Sequence, residues 1–240
     1  MDMKKKWTGI IFIALVLLFA LFAGLQAAEP MPDTGQTDFY NNSDEISEPP
    51  PGGAFYGQDA HYTRNRSYKK LDVNSLELND DANDWVMVKD KVTGLIWEVK
   101  QNNDGMKDYG NPHDADNTYT WYDSNPATNG GDAGTSGNGT DTEDFINTLN
   151  AGSGFCYHTD WRLPTIKELS QLIDSGRDEW PVITIYFFWQ TISDDYWSST
   201  SSAYSYFNDR AWHVYFKYGL VKEPSEKSKS YYVRAVRSDR

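Results

Sequence analysis

Pro164-Thr-Ile-Lys-Glu-Leu-Ser-Gln-Leu-Ile173 is the stretch with the plainest structural instruction in this chain. Thr165 and Glu168 stand three apart, the spacing of a capping box, and Pro164 sits just outside it. Ile166, Leu169, Leu172 and Ile173 then recur at helical spacing, which predicts a helix ending near Ser175-Gly176. Upstream, Thr140-Asp-Thr-Glu143 has the same cap spacing. It opens a second predicted helix, with Phe145, Ile146 and Leu149 on one face and Gly152 to end it. Outside this helical centre the pattern has a period of two. Trp85–Asp90 and Gly94–Val99 read as a hairpin turning at Lys91-Val-Thr. Downstream, Tyr196–Thr200, Ala211–Lys217 and Tyr231–Arg237 read as strands. Strands, two helices, then strands predict an α+β domain with short antiparallel strands.

The N-terminus carries a different message. Lys4, Lys5 and Lys6 precede an uncharged apolar run from Ile10 to Leu25, then Ala27 and Ala28, the three-part layout of a secretory signal with cleavage near Ala27 or Ala28. The expected organisation is a signal peptide at 1–28, an irregular arm rich in Pro, Gly and Asp at 29–61, and the globular domain at 62–240. An exported product, periplasmic, surface-bound or secreted, follows, with no transmembrane segment in its mature form. The formal net charge is −13, and removing a segment with three Lys against Asp2 makes the remainder more acidic still. Such a field repels nucleic acid, anionic membranes and sulfated polysaccharides. With Cys156 as the only cysteine, no intramolecular disulfide can form, and the thiol is expected to act as a small buried hydrophobe.

Five ordered strings resemble the Lcl-type C-terminal domain family: Asp90–Glu98, Asn117–Tyr122, Asp160-Trp-Arg-Leu-Pro-Thr165, Tyr196-Trp-Ser-Ser-Thr200 with Ala211-Trp-His-Val-Tyr-Phe216, and Tyr232-Val-Arg-Ala-Val-Arg237. The resemblance spans about Trp85 to Arg237. It implies a C-type-lectin-like fold, distantly similar to the sulfatase-modifying-factor branch, in exported or surface proteins. The founding example is an adhesin domain for sulfated glycans. A strongly acidic chain carries over the fold and the binding role but not that ligand. In the arm, Asp33-Thr-Gly-Gln-Thr37 and Phe55-Tyr-Gly-Gln-Asp59 resemble a leader often seen with this domain, in which a cysteine pair is expected and here is missing.

Aromatic residues make up 15% of the chain, more than a core of this size requires. Tyr and Trp grip sugar rings and peptide surfaces at low entropic cost, and the segment 196–210 mixes Tyr, Ser and Asn as binding loops do. Tyr204, Tyr206, Asn208, Asp209 and Arg210 are therefore the candidate recognition residues. Trp161, Trp197 and Trp212 are expected to pin the core. Arg162, Arg234 and Arg237 are expected to pair with carboxylates such as Asp160 or Glu168.

The Asn- and Asp-rich stretch from Gln101 to Gly139 offers Asp104, Asp108, Asp114 and Asp116 as a candidate calcium site. It is not an EF-hand: with Gly105 in the sixth position, Lys100 would be first and Asn111 last, where carboxylates are required. Glu223-Pro-Ser225 stands where a sugar-binding C-type lectin would show Glu-Pro-Asn, which disfavours calcium ligation of that kind. His61, His113, His158 and His213 show no metal spacing, and no nucleophile elbow or phosphate loop occurs. Lys217, Lys222, Lys227 and Lys229 read as a solvated hairpin. The sequence thus predicts a non-catalytic binding module, requiring no cofactor and with calcium as the one candidate, that recognises a glycan or another envelope protein. A self-assembling, homo-oligomeric envelope component and a glycan-cleaving enzyme are the alternatives.

Overall fold

The computed structural model describes residues 34–61 and 66–239. The predicted signal segment and the first arm residues lie outside them. Among the described residues no helix is long and apolar enough to cross a membrane.

The arm begins with two short antiparallel strands, β1 (Phe39–Tyr40) and β2 (Glu45–Ile46). Gln58 extends β1 as a further strand would: its amide nitrogen donates to Tyr40 O at 2.7 Å and its oxygen accepts Tyr40 N–H at 2.9 Å. The two leader-like strings meet where the Thr34 hydroxyl donates to Asp59. Ser175 N–H donates to Thr34 O at 2.7 Å, tying the arm to the globular part. Pro49 alone among the described arm residues is buried, so the arm has no core of its own.

The expected hairpin forms as β4 (Met87–Asp90) and β5 (Leu95–Glu98), with Val88 opposite Trp97. Its turn is fixed by Asp90, which accepts Val92 N–H at 2.8 Å, and by Gly94 at φ +70°. β3 (Tyr68–Leu71) flanks β4, and β11 (Val236–Ser238) flanks β5, completing a four-stranded antiparallel sheet ordered β11-β5-β4-β3. All four residues of β5 are buried because both faces of the sheet are covered. Val88, Leu95 and Trp97 enter a core with Leu169, Phe188, Tyr196 and Phe216. Met87 and Ile96 enter a second core with Trp121, Phe145, Leu149, Trp161 and Trp197. The remaining sheets are β10-β6 (Ser230–Tyr231 with Tyr119–Thr120) and β7-β8-β9 (Asp195–Ser201, Arg210–Tyr215, Leu220–Glu226). The class is α+β, with two described α-helices and many short antiparallel strands, as the sequence indicates.

Three local expectations change. Helix α1 (Thr142–Asn150) is capped by Asp141 in place of Thr140; the Asp141 carboxylate accepts Asp144 N–H at 2.8 Å. Helix α2 (Ile166–Ser170) has the full Thr165/Glu168 capping box but stops well short of Ser175. Beyond it the chain tightens into turns, Arg66 takes the Gln171 and Ile173 carbonyls, and Ile173 bridges to Ile183. The Tyr231–Arg237 strand divides into β10 and β11. Between them Arg234 is wholly buried, donating to Glu98 O at 2.6 Å and to the Thr191 hydroxyl at 2.8 Å. Both terminal nitrogens of that guanidinium are thus held where the chain leaves one continuous ladder.

Because Thr165 satisfies an otherwise orphaned donor of α2, Thr165→Ala is expected to cost about 1 kcal/mol of stability. Thr165→Ser should restore most of it, and urea unfolding of the two variants checks this.

Candidate functional site

One hollow among the described residues is a cleft with walls from four separate segments. Trp121, Tyr122 and Asp123 form one side; Thr142, Glu143 and Ile146 of α1 form the second; Arg162 and Leu163 lie at the base; Ser199 of β7 closes it, around about 220 Å³. A neighbouring hollow of about 580 Å³ shares Asp123, Arg162, Leu163 and Ser199 and continues past Thr128 and Gly130 to Ser202 and Ala203. The exposed lining is mostly apolar, because Thr128, Thr142, Thr165 and Ser201 spend their hydroxyls on protein partners, and it carries one aromatic edge and charges of both signs.

These walls are built locally. Thr142 donates to Tyr122 O and accepts Tyr122 N–H, at 2.8 and 2.9 Å, pinning the 121–123 segment to the start of α1. Asp123 accepts the Thr128 hydroxyl at 2.6 Å and Glu143 accepts Ser124 N–H at 2.7 Å. Arg162 donates through both terminal nitrogens to Glu168, at 2.8 and 2.6 Å. Burial pushes the Glu168 carboxyl up, but the Arg162 fork and Thr165 N–H outweigh it and hold it below its ordinary range. Gly130, at φ +70°, lies so close to β7 that a Cβ would stand 2.8 Å from the Ser201 Cβ. A side chain there would push the two walls apart.

At its far end the cleft meets the predicted recognition loop. Tyr204 follows the lining residue Ala203, and its N–H donates to Ser202 Oγ at 3.3 Å. Tyr204 and Tyr206 are 58% and 81% exposed, with ring centroids 5.5 Å apart. Asn208 donates to Gly131 O at 3.4 Å, and Arg210 lies 4.5 Å over the Phe207 ring. Asp209 is exposed and lends its carbonyl to Lys227 N–H at 2.8 Å. The five predicted residues thus share one turn, and the structure adds Phe207, 44% exposed, to the aromatic cluster. Phe207 lies inside the quoted run, but it has no polar edge to mark it for recognition.

Lys227 corrects the reading of the basic strip. It is 2% exposed, and its ammonium donates to the carbonyls of Asn129, Asp132 and Asn208 at 2.8, 2.6 and 2.7 Å. It therefore staples the 129–132 segment to the recognition loop. Lys222 also has a partner, Asp195, at 3.1 Å.

The four aspartates of the candidate calcium site are spent on their own loop. Asp116 accepts Asp104 N–H and Gly105 N–H at 2.9 and 2.8 Å; Asp114 accepts Asp116 N–H and the Asn102 amide at 2.9 and 2.8 Å. Asp104 and Asp108 accept Met106 N–H and Gly110 N–H, both at 2.9 Å. Among the described residues no group of three or more His, Cys, Asp or Glu side chains is gathered as for a metal ion. Each carboxylate satisfies amides that a helix-free loop leaves open.

Two further groups bear on chemistry. The Cys156 thiol is buried in the second core, which pushes it up to about 12, far from reactive thiolate character. Asp195, His213 and Ser225 line up across β7, β8 and β9: His213 Nδ1 is 3.1 Å from Asp195 and Nε2 is 2.8 Å from Ser225 Oγ. The order is that of an acid, base and hydroxyl relay. However, His213 is 2% exposed, Ser225 also receives the Tyr231 hydroxyl at 3.1 Å, and none of the three lines the cleft. The relay satisfies polar groups within the sheet. Its spacing depends on strand register, so nothing in the sequence reveals it.

Comparison with curated proteins and with solved structures gives no match. The model of the Lcl C-terminal domain matches residues 86–237, a span that takes in the hairpin, both helices, the cleft and the recognition loop, and the chain belongs to that family.

Proposed function

We propose that this protein is an exported, non-catalytic binding module of the cell envelope or surface, recognising a glycan or another envelope protein through the cleft and the Tyr204–Arg210 turn at its end. The observation that carries the reading is the continuity of a mostly apolar cleft, edged by short hydroxyl side chains, with exposed Tyr rings. Rigid aromatic faces next to many short hydroxyl side chains suit a polar ligand with one apolar side. Membership of the Lcl C-terminal domain family is compatible with a binding role, and the acidic charge points towards ligands other than sulfated chains.

The test is a broad glycan array probed with the purified protein, with calcium and with chelator, at low and physiological salt. Signal that survives physiological salt is expected. A Tyr204→Ala/Tyr206→Ala variant is expected to lose it at least about tenfold, with unfolding stability unchanged within about 0.5 kcal/mol. Equal binding by the variant would remove the turn from the site. Oligomers that form with concentration alone would favour self-assembly, and released reducing sugar would make the protein an enzyme.

A further inference from the structure

A second hollow, of about 350 Å³, is lined by Lys70, Asp81, Ala82, Asn83, Trp85, Ile185, Tyr186 and Trp189, none of which belongs to the cleft. Its floor is aromatic, and the polar atoms of that floor are already committed. Trp85 Nε1 donates to Phe187 O at 2.9 Å, and the Tyr186 hydroxyl donates to Asp80 O. Lys70 is 3% exposed. Its ammonium donates to Asp80 O and Ala82 O at 3.0 and 2.8 Å while lying 3.9 and 4.1 Å from the Trp85 and Tyr186 ring centroids. What the floor still offers a visitor is π surface. Trp189 offers most: it is 54% exposed and takes part in no ring contact or hydrogen bond within the described structure.

The rim is the opposite. Asp81 and Asn83 are exposed, and neither side chain has a hydrogen bond or ion pair, in contrast to Asp80, which is paired with Lys69 at 2.6 Å. A floor of aromatic faces beside an uncommitted carboxylate and amide matches a ring with one face of C–H bonds and an edge of hydroxyls. We propose that this hollow is a binding subsite for a neutral hexopyranose of a glycan, stacked on Trp189 and hydrogen-bonded at its edge by Asp81 and Asn83. Charge selects the neutral sugar. The only cation in the lining, Lys70, is fully used by two carbonyls, and a sulfate or carboxylate would face Asp81 with Asp84 close by in the chain. The restraints on Trp85, Tyr186 and Lys70 mean that little ordering remains for the ligand to impose on the floor. This inference does not rest on the cleft.

The experiment is a tryptophan-fluorescence and calorimetric titration of the purified protein with cellohexaose, chitin hexaose, maltohexaose, laminarihexaose and mannohexaose, with dextran sulfate as the charged counterpart. Binding of at least one neutral oligosaccharide is expected. Trp189→Ala should weaken it about tenfold or more, and Asn83→Ala or Asp81→Ala by several-fold. Met106→Ala, a change at a side chain 68% exposed that lines neither this hollow nor the cleft, should titrate as the parent does. Failure of every neutral oligosaccharide to bind at millimolar concentration would overturn the proposal. So would unchanged affinity in Trp189→Ala, or an effect of that variant seen only as loss of self-association by sedimentation.

Discussion

Glu98→Ala is expected to destabilise the domain by about 3 to 5 kcal/mol, because it leaves a buried ammonium without its counter-charge. Glu98 and Lys100 are 0% and 3% exposed by side chain and 3.0 Å apart. His113 Nδ1 lies 2.9 Å from the same carboxylate oxygen, and Ala235 N–H donates to the other at 2.9 Å. Burial pushes the Glu98 carboxyl up, but Lys100, His113 and the Ala235 N–H outweigh it and bring it to about 2. Burial pulls Lys100 the other way, against Glu98. The short ion pair and the Pro112 carbonyl, 2.9 Å from the ammonium, favour both members charged.

A carboxyl whose folded value lies below its ordinary 4.5 contributes stability that is fully present above that value. The contribution drains away as pH falls from about 4.5 towards 2, and its full size is about 3 kcal/mol. Urea unfolding between pH 7 and pH 3 should therefore show a steep acid limb in the parent that is much flatter in Glu98→Gln. An equally steep limb in that variant would place the acid sensitivity elsewhere.

Trp197→Ala is the second large effect, expected at about 3 to 5 kcal/mol. Its side chain is wholly buried, its Nε1 donates to Tyr119 O at 2.9 Å, and its ring lies 4.5 Å from Tyr231 and 5.7 Å from His213. Truncation would open a cavity where β6, β7, β8 and β10 meet and would orphan a buried carbonyl. Trp197→Phe keeps most of the ring but loses the donor, so it should cost less than half as much. Thermal and urea unfolding of the pair separates the packing loss from the hydrogen bond.

What could be read from the sequence was whatever its neighbours along the chain decide. The Asp90–Gly94 turn and the Thr165 cap follow from local spacing; of the three Trp that the family strings place in the core, Trp161 and Trp197 are buried and Trp212 is only partly so. The ion pair Arg162–Glu168 also forms, at 2.6 Å, within one motif, whereas Arg237–Asp160, at 2.8 Å, joins two strings 77 residues apart. The division of 231–237 was hidden, since the partners that hold Arg234 there, Glu98 and Thr191, lie in other segments. Burial of Lys227 was hidden in the same way, because its three carbonyl partners lie in two other segments. The cleft was the least legible part. Its walls come from residues 121–123, 142–146, 162–165 and 199–203, and in none of those segments does the pattern differ from ordinary strand or helix.

The seating of β11 against β5 has a consequence for synthesis. Val236 to Ser238 pair with Leu95 to Trp97, and Val236 also exchanges backbone hydrogen bonds with Arg162. A ribosome therefore completes β5 long before it supplies that strand's outer neighbour. Until residue 238 has emerged, the central sheet keeps an open edge, Glu98 lacks the amide of Ala235, and the Arg162 segment has nothing to dock on. Joining segments so far apart also carries a high loop-closure cost and a correspondingly slow closing step. The central sheet therefore closes only after its outermost strand has been made.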